Sequence, residues 1–559
     1  MRLLNSYTLK FEDFLDDRVP TYAILSHRWQ DDEVSFLDMQ RGTATNRAGY
    51  SKIKNLCDLA RKQGFTYAWV DTCCIDKSSS AELSEAINSM YQWYQKSAVC
   101  YVYLFDVPVI ADGLGAEQFR KAFWESVWWT RGWTLQELIA PSEVEFYDSA
   151  WQYMGNKSTL KANIVSITGI DEAMLEGASP ESFSLAKRMS WAAKRTTTRV
   201  EDMAYSLLGI FSVNMPMLYG EGDRAFLRLQ EEIMKQSDDH SLFAWSSTDE
   251  NSRGLLARSP LDFQSCNKIV PSEVRWIQSP YSITNLGLSI DLPMVGWAMD
   301  TYLAALDCQI ENAPKSRLGI FLRLLPDSKD RCVRVRVDGE DIRTFDEDLV
   351  SQSKYRKIYV RQKHWGFRDP IDKIYGFWCR KLPLDLKSEH GENKLVSIHS
   401  RSPWQEERGV LEIPNGHRGT AGMLWNGPPG YGVSFLKLGF DSMYNPVCEL
   451  GGPLWGKTAE TFRADDDEFG LERRIDNRWI SDDPHPFTWY YKGDRLTGLS
   501  RFEENHYITI TQGEIEGRRV WVVNVGRPEW FPALNKPSRA ICDSCGEVSR
   551  SETAMVEIS

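Results

Sequence analysis

Over its first 150 residues the chain alternates short apolar runs with amphipathic helical stretches, and this alternation narrows the available folds more than any other feature. Thr21–Ser26 (TYAILS) is a short apolar run, and Ser51–Gly64 follows with Ile53, Leu56, Cys57 and Ala60 at helical spacing before a glycine stop. Tyr67–Val70 is apolar again and ends at Asp71. Ala81–Lys96 puts Leu83, Ile87, Met90, Tyr91 and Tyr94 on one helical face, and Val99–Phe105 (VCYVYLF) is the clearest buried strand. Trp133–Ile139 reads as a helix and Val144–Tyr147 as a further strand. Strands apolar on both faces and separated by helices predict an α/β domain over residues 1–150, with a doubly wound parallel sheet.

The pattern then changes twice. Residues 151–240 read as a helical extension, with Ser184–Arg195, Arg199–Gly209 and Gly222–Gln236 as its helices. Residues 241–534 read as one or two β-rich, antiparallel domains of unknown role. Their strand-like runs are Leu318–Leu325, Cys332–Val337, Lys357–Arg361, Val433–Leu438, Phe487–Tyr491, Tyr507–Thr511 and Arg519–Val525. Residues 535–559 are polar and read as a disordered tail. A chain of 559 residues exceeds what one core usually organises, so several domains are expected.

The formal net charge of −12 argues against nucleic acid or anionic lipid as a general partner. Charges interrupt every apolar stretch before membrane-span length, and the N-terminus lacks a signal-peptide core, so the expected location is cytoplasmic. The 11 cysteines are scattered, as suits reduced thiols. Cys542-x-x-Cys545 is half a zinc site with no second pair, and no metal is expected. Asp465–Glu468 reads as a solvated acidic loop.

Three blocks carry a family likeness: Tyr22-Ala23-Ile24-Leu25-Ser26-His27-Arg28-Trp29, Tyr67-Ala68-Trp69-Val70-Asp71-Thr72-Cys73-Cys74-Ile75-Asp76-Lys77, and Trp129-Thr130-Arg131-Gly132-Trp133-Thr134-Leu135-Gln136-Glu137-Leu138. In this order they resemble the fungal heterokaryon-incompatibility (HET) domain, with Gln30 standing where a glycine often follows the first block. Arg188–Ala192 and Tyr219–Gly222 resemble the tail many such proteins carry. No phosphate-loop motif and no WD repeat is present. The resemblance implies fungal non-self recognition ending in cell death. It also implies a distant similarity to TIR domains, some of which hydrolyse NAD through the glutamate of a W-x-x-x-E motif.

Trp133-Thr134-Leu135-Gln136-Glu137 fits that motif. Residues four apart share a helical face, so indole and carboxylate are expected in one site. Glu137 is the candidate catalytic residue, because a carboxylate beside a ribose stabilises an oxocarbenium-like state. If its charge acts, Glu137→Gln is expected to abolish activity. Alternatively, Trp133 packs in the core and Glu137 bonds locally. Ser26, Arg28 and Trp29 follow the first strand, where open α/β sheets bind ligands. Arg28 is a candidate for a phosphate and Trp29 for stacking on a base, against loop anchoring or solvation. Asp71 is a candidate for ribose hydroxyls or a helix cap, and Arg131 for a phosphate or a surface ion pair. His27, Cys73 and Cys74 read as structural. No cofactor is expected, NAD being a candidate substrate. A protein partner or self-association is expected, and a non-catalytic HET interaction module is the alternative to an enzyme.

Overall fold

The computed structural model describes residues 1–15, 18–109, 116–248, 253–273 and 280–362, except 299–300, 314–315, 326–327, 329, 338 and 347–353. Beyond them it describes separate strands between residues 375 and 526. The expected tail, with Cys542 and Cys545, and the acidic loop at 465–468 lie outside the described residues.

The first sheet has seven strands. They are β1 (Arg2–Asn5), β2 (Phe11–Asp13), β3 (Tyr22–His27), β4 (Tyr67–Trp69), β5 (Val99–Tyr103), β6 (Val144–Tyr147) and β7 (Tyr153–Asn156), in the spatial order β2-β1-β4-β3-β5-β6-β7. β3 pairs in parallel with β4 (Tyr22 opposite Tyr67) and with β5 (Ser26 opposite Val102), and β5 pairs in parallel with β6. Every residue of β3 is buried, as its unbroken apolar run requires of a central parallel strand. The antiparallel flanking strands β1, β2 and β7 are additions to the sequence-based expectation, and β7 lies where a helical extension was expected. The two outermost strands, β2 and β7, are short and half polar, which is how edge strands differ from central ones.

Helices link these strands. α1 (Phe36–Arg41) starts at a Ser35–Asp38 capping box and stops at Gly42, whose φ of +70° suits glycine. α2 (Tyr50–Lys62) buries Ile53, Leu56, Cys57 and Ala60, and α3 (Ser80–Lys96), capped by Ser79, buries Ile87, Met90, Tyr91 and Tyr94. After α4 (Ala116–Glu125), the short α5 (Thr134–Ile139) is buried on every side, although Gln136 and Glu137 are polar. α6 (Lys161–Thr168), α7 (Glu172–Leu175), α8 (Leu185–Ala192), α9 (Asp202–Tyr205) and α10 (Arg224–Met234) complete the helical part.

The β-rich region begins with β8 (Ile269–Pro271), β9 (Ser282–Thr284), β10 (Gly287–Ala298), β11 (Thr301–Ala305), β12 (Cys308–Ile310), β13 (Ser316–Leu324), β14 (Arg331–Arg334), β15 (Ile342–Asp346) and β16 (Lys354–Val360). The order β11-β10-β16-β14-β13, with β13 pairing back to β11, closes a small barrel. Its β14–β16 pairing is parallel, so the region is not purely antiparallel. Arg334 on β14 is fully buried. Its guanidinium donates to the Phe243 carbonyl at 2.8 Å and to that of Trp245, and lies 3.9 Å from the Trp245 ring centre.

The close approach of the helical part to α3 depends on Gly209. A Cβ there would meet Tyr91 Cβ at 2.0 Å and Cγ at 2.4 Å. Gly209→Ala is expected to cost about 1–3 kcal/mol by overpacking. Chemical denaturation checks this, and an unchanged midpoint would contradict the contact.

Candidate functional site

Chain order reverses at β3: β4 lies on one side and β5 on the other. In open α/β sheets the crevice beyond the strand ends at such a reversal is where ligands bind. Ser26 and His27 end β3, and Asp71 follows β4 by two residues. α5 packs its Glu137 against the end of β3.

Ser26 Oγ lies 2.5 Å from Glu137 Oε2 and accepts a hydrogen bond from Trp128 Nε1 at 2.9 Å. Glu137 is only 5% exposed. Burial, and then the nearby negative charge of Asp71, push its carboxyl up to about 8, against the weaker opposing pull of Ser26, Arg131 and Arg195. At neutral pH Glu137 is therefore mostly a neutral acid. Asp71 Oδ2 accepts from Trp29 Nε1 at 2.7 Å, and Lys77 Nζ sits 3.5 Å from the centre of the Trp29 ring, a cation–π contact. Burial raises Asp71 above the ordinary carboxylate range, while Lys77, Trp29, Lys52 and the Thr72 N–H work to keep it charged. His27 is buried with neither ring nitrogen hydrogen-bonded. Its Nε2 is 3.9 Å from Glu33 Oε1 and 4.0 Å from Asp71 Oδ1. Burial, with Lys52 adding to it, holds His27 down at about 3, so it stays neutral.

Ser26, Trp29, Asp71 and Glu137 thus gather at the reversal. Arg131 lies within electrostatic reach of Glu137 while its side chain donates to Thr198 Oγ1 at 3.2 Å. Arg28 contributes its backbone carbonyl, which accepts from Lys52 Nζ at 3.4 Å. Trp133 takes a different place from the one its spacing suggested. It immediately precedes α5, and its indole helps hold the Asp202 carboxyl of the helical part down against the effect of burial. The indole beside Glu137 belongs instead to Trp128.

Sequence reasoning missed Trp128, Arg195, Tyr94 and the Glu33–Lys52 ion pair. Arg195 is buried and donates to the Arg131 carbonyl at 2.9 Å and to Thr134 Oγ1 at 2.8 Å, leaving Nη2 without a partner. Backbone bonds from Gly132 N to Thr196 O and from Thr196 N to Thr130 O bring it there. The position of Trp128 directly before Trp129, which opens the third motif, was the available signal for it. A residue 58 positions beyond Glu137 offers no such signal, by sequence numbering alone. Among the described residues no cluster of His, Cys, Asp or Glu fits a metal ion, and no helix is long and apolar enough to cross a membrane.

The raised Glu137 carboxyl links stability to pH. Between its ordinary value near 4.5 and its folded value near 8, the folded state holds a proton that the unfolded chain releases. Its contribution is therefore complete below the ordinary value and is lost as pH rises through about 8. The melting temperature of the parent, relative to that of Glu137→Gln, is expected to fall across this window and level off above it. Parallel curves for the two proteins across the window would contradict it.

Residues 22–108 match the family described as Heterokaryon incompatibility protein (HET), and residues 224–258 match a family described as a domain of unknown function (DUF8212). The chain is 48% identical over 242 residues to Vegetative incompatibility protein HET-E-1 of Podospora anserina, an alignment covering 43% of this chain and 18% of that protein. No solved structure matches the chain. The match from β3 through β5 encloses Ser26, Trp29 and Asp71, so these residues lie in the part of the chain that is similar to the HET family.

Proposed function

We propose that this chain is an effector of fungal vegetative incompatibility, acting in the cytoplasm, and that its HET domain splits the nicotinamide–ribose bond of NAD to trigger cell death. The incompatibility role is supported by the match to the HET family and by the likeness to HET-E-1. The enzymatic reading is carried by one observation: two carboxyl groups, Glu137 and Asp71, gather at the strand-order reversal, close enough for the charge of Asp71 to raise the proton affinity of Glu137. The parallel order β4-β3-β5-β6 is in keeping with a doubly wound, TIR-like domain. In this reading Glu137, Ser26, Asp71 and Trp29 gather around the reacting ribose, and Arg131 supplies positive charge for a pyrophosphate. In the reaction a water oxygen bonds to the ribose C1′ while the C1′–N bond breaks. Nicotinamide leaves as a neutral molecule with the bonding electrons, and one proton of the water is released.

A second reading rests on the burial of Glu137. At 5% exposed and bonded to Ser26, it serves equally as a core tether in a non-catalytic module that self-associates or binds a protein partner. Incubating the purified protein with NAD, alone and forced to oligomerise by a fused tag, separates the two. The first reading expects nicotinamide release, reduced by about 10²–10³ in Glu137→Ala, with loss of killing in a fungal host. A parent protein that kills yet releases no nicotinamide in either state would leave only the interaction module.

A further inference from the structure

The two carboxyl groups of the crevice differ in what surrounds them. Glu137 bonds to a hydroxyl; of the cations within its electrostatic reach, Arg131 donates to Thr198, and Arg195 donates to the Arg131 carbonyl and Thr134 while its Nη2 has no partner. Tyr94 and Cys100, the other titratable groups facing it, stay neutral at ordinary pH because burial raises both well above their usual range. Asp71 accepts the Trp29 indole N–H at 2.7 Å and has as nearby cations Lys77 and Lys52, the latter ion-paired with Glu33; His27, Cys73, Tyr94 and Glu137 are also within its reach. Two neighbouring carboxylates do not both ionise readily, and the charge settles where cations and N–H donors support it.

We propose that Asp71, not Glu137, is the ionised carboxylate of the site, and that its Oδ1 is the general base that takes the proton from the attacking water. Asp71 Oδ1 is buried, has no hydrogen-bond partner, and lies 4.0 Å from the equally unpartnered Nε2 of the neutral His27. A water seated between them satisfies both atoms, with His27 orienting it and Asp71 accepting its proton. As that water's oxygen bonds to C1′ and nicotinamide departs with the C–N electron pair, the proton passes to Asp71, and the charge of Asp71 faces the developing ribosyl cation. Glu137 keeps its own proton throughout and holds Ser26 in place. The assignment of base to Asp71 rests on the NAD-splitting reading. The assignment of charge does not.

Two measurements test the two parts. Infrared spectra of protein carrying ¹³C in its glutamate carboxyls, at neutral pH, are expected to show a protonated-carboxyl band that shifts with the label and is absent from Glu137→Gln. A band that shifts instead with ¹³C in the aspartate carboxyls overturns the charge assignment, whatever the protein's activity. For the base, Asp71→Asn is expected to slow nicotinamide release from NAD by about 10²–10⁴. Azide, an anion with no proton to lose, is expected to restore release in that variant. Parent-like release by Asp71→Asn, or loss that azide does not restore, overturns the base role. A parent that releases no nicotinamide sinks the NAD reading and the base role together, and the label experiment still decides which carboxyl holds the proton.

Discussion

The contact between Ser26 and Glu137 ties the central strand to the one helix of the first domain that is buried on all sides. A carboxyl at that depth survives only as a neutral acid or beside a cation, because an isolated buried charge is costly. Here Ser26 takes up the acid, Trp128 completes the serine's bonding, and Arg195 closes the other end of α5 through Thr134 and the Arg131 carbonyl. The result is a polar seam inside a core otherwise built from aromatic rings. Trp128, Trp129, Phe123 and Phe146 pack beside it, mostly edge to face. Such a seam specifies one register of α5 against β3, since any slip strands several buried polar atoms at once.

The helical part supports this seam from behind. Residues 130–132 and 196 exchange backbone hydrogen bonds, which hold Arg195 against α5. Further on, Glu201 accepts from the N–H groups of Gly220 and Gly222, fixing the turn that leads into α10. Gln230 on α10 bonds both backbone groups of Ala257, and Arg334 reaches from the barrel to the carbonyls of Phe243 and Trp245. Each joint uses a buried side chain to satisfy loop carbonyls or N–H groups that water cannot reach. The first domain, the helical part and the barrel are therefore linked by specific polar contacts as well as by apolar packing.

Much of this was legible in the residues. The runs at 22–27, 67–69, 99–103 and 144–147 are strands because β-branched and aromatic residues continue without a polar face, and such runs pair in parallel when helices separate them. Ser26, Trp29 and Asp71 could be placed near a crevice because each follows a strand end. The flanking strands β1, β2 and β7 were not legible, since three or four residues with polar neighbours carry no periodic signal. β10 was hidden by Gly287, Asp291, Pro293 and Gly296, which read as turn residues until pairing partners on both sides hold them extended. Trp133 misled because spacing gives a shared helical side but not the neighbour met there: it precedes α5 with helical backbone angles, and its indole acts on Asp202 of the helical part.

By itself the sequence determined the alternation of strand and helix, the parallel core, the family motifs and the candidacy of Glu137 and Asp71, because these depend on local composition and spacing. Only the tertiary structure decided that the barrel closes through β11 and β13, that Trp128 and Arg195 rather than Trp133 flank the carboxyl on α5, and that burial keeps its proton on at neutral pH. Proton affinity is set by distance, dielectric and neighbouring charge. Those are properties of residues that meet only after folding, from positions more than 50 apart along the chain, as Glu137 and Ser26 do.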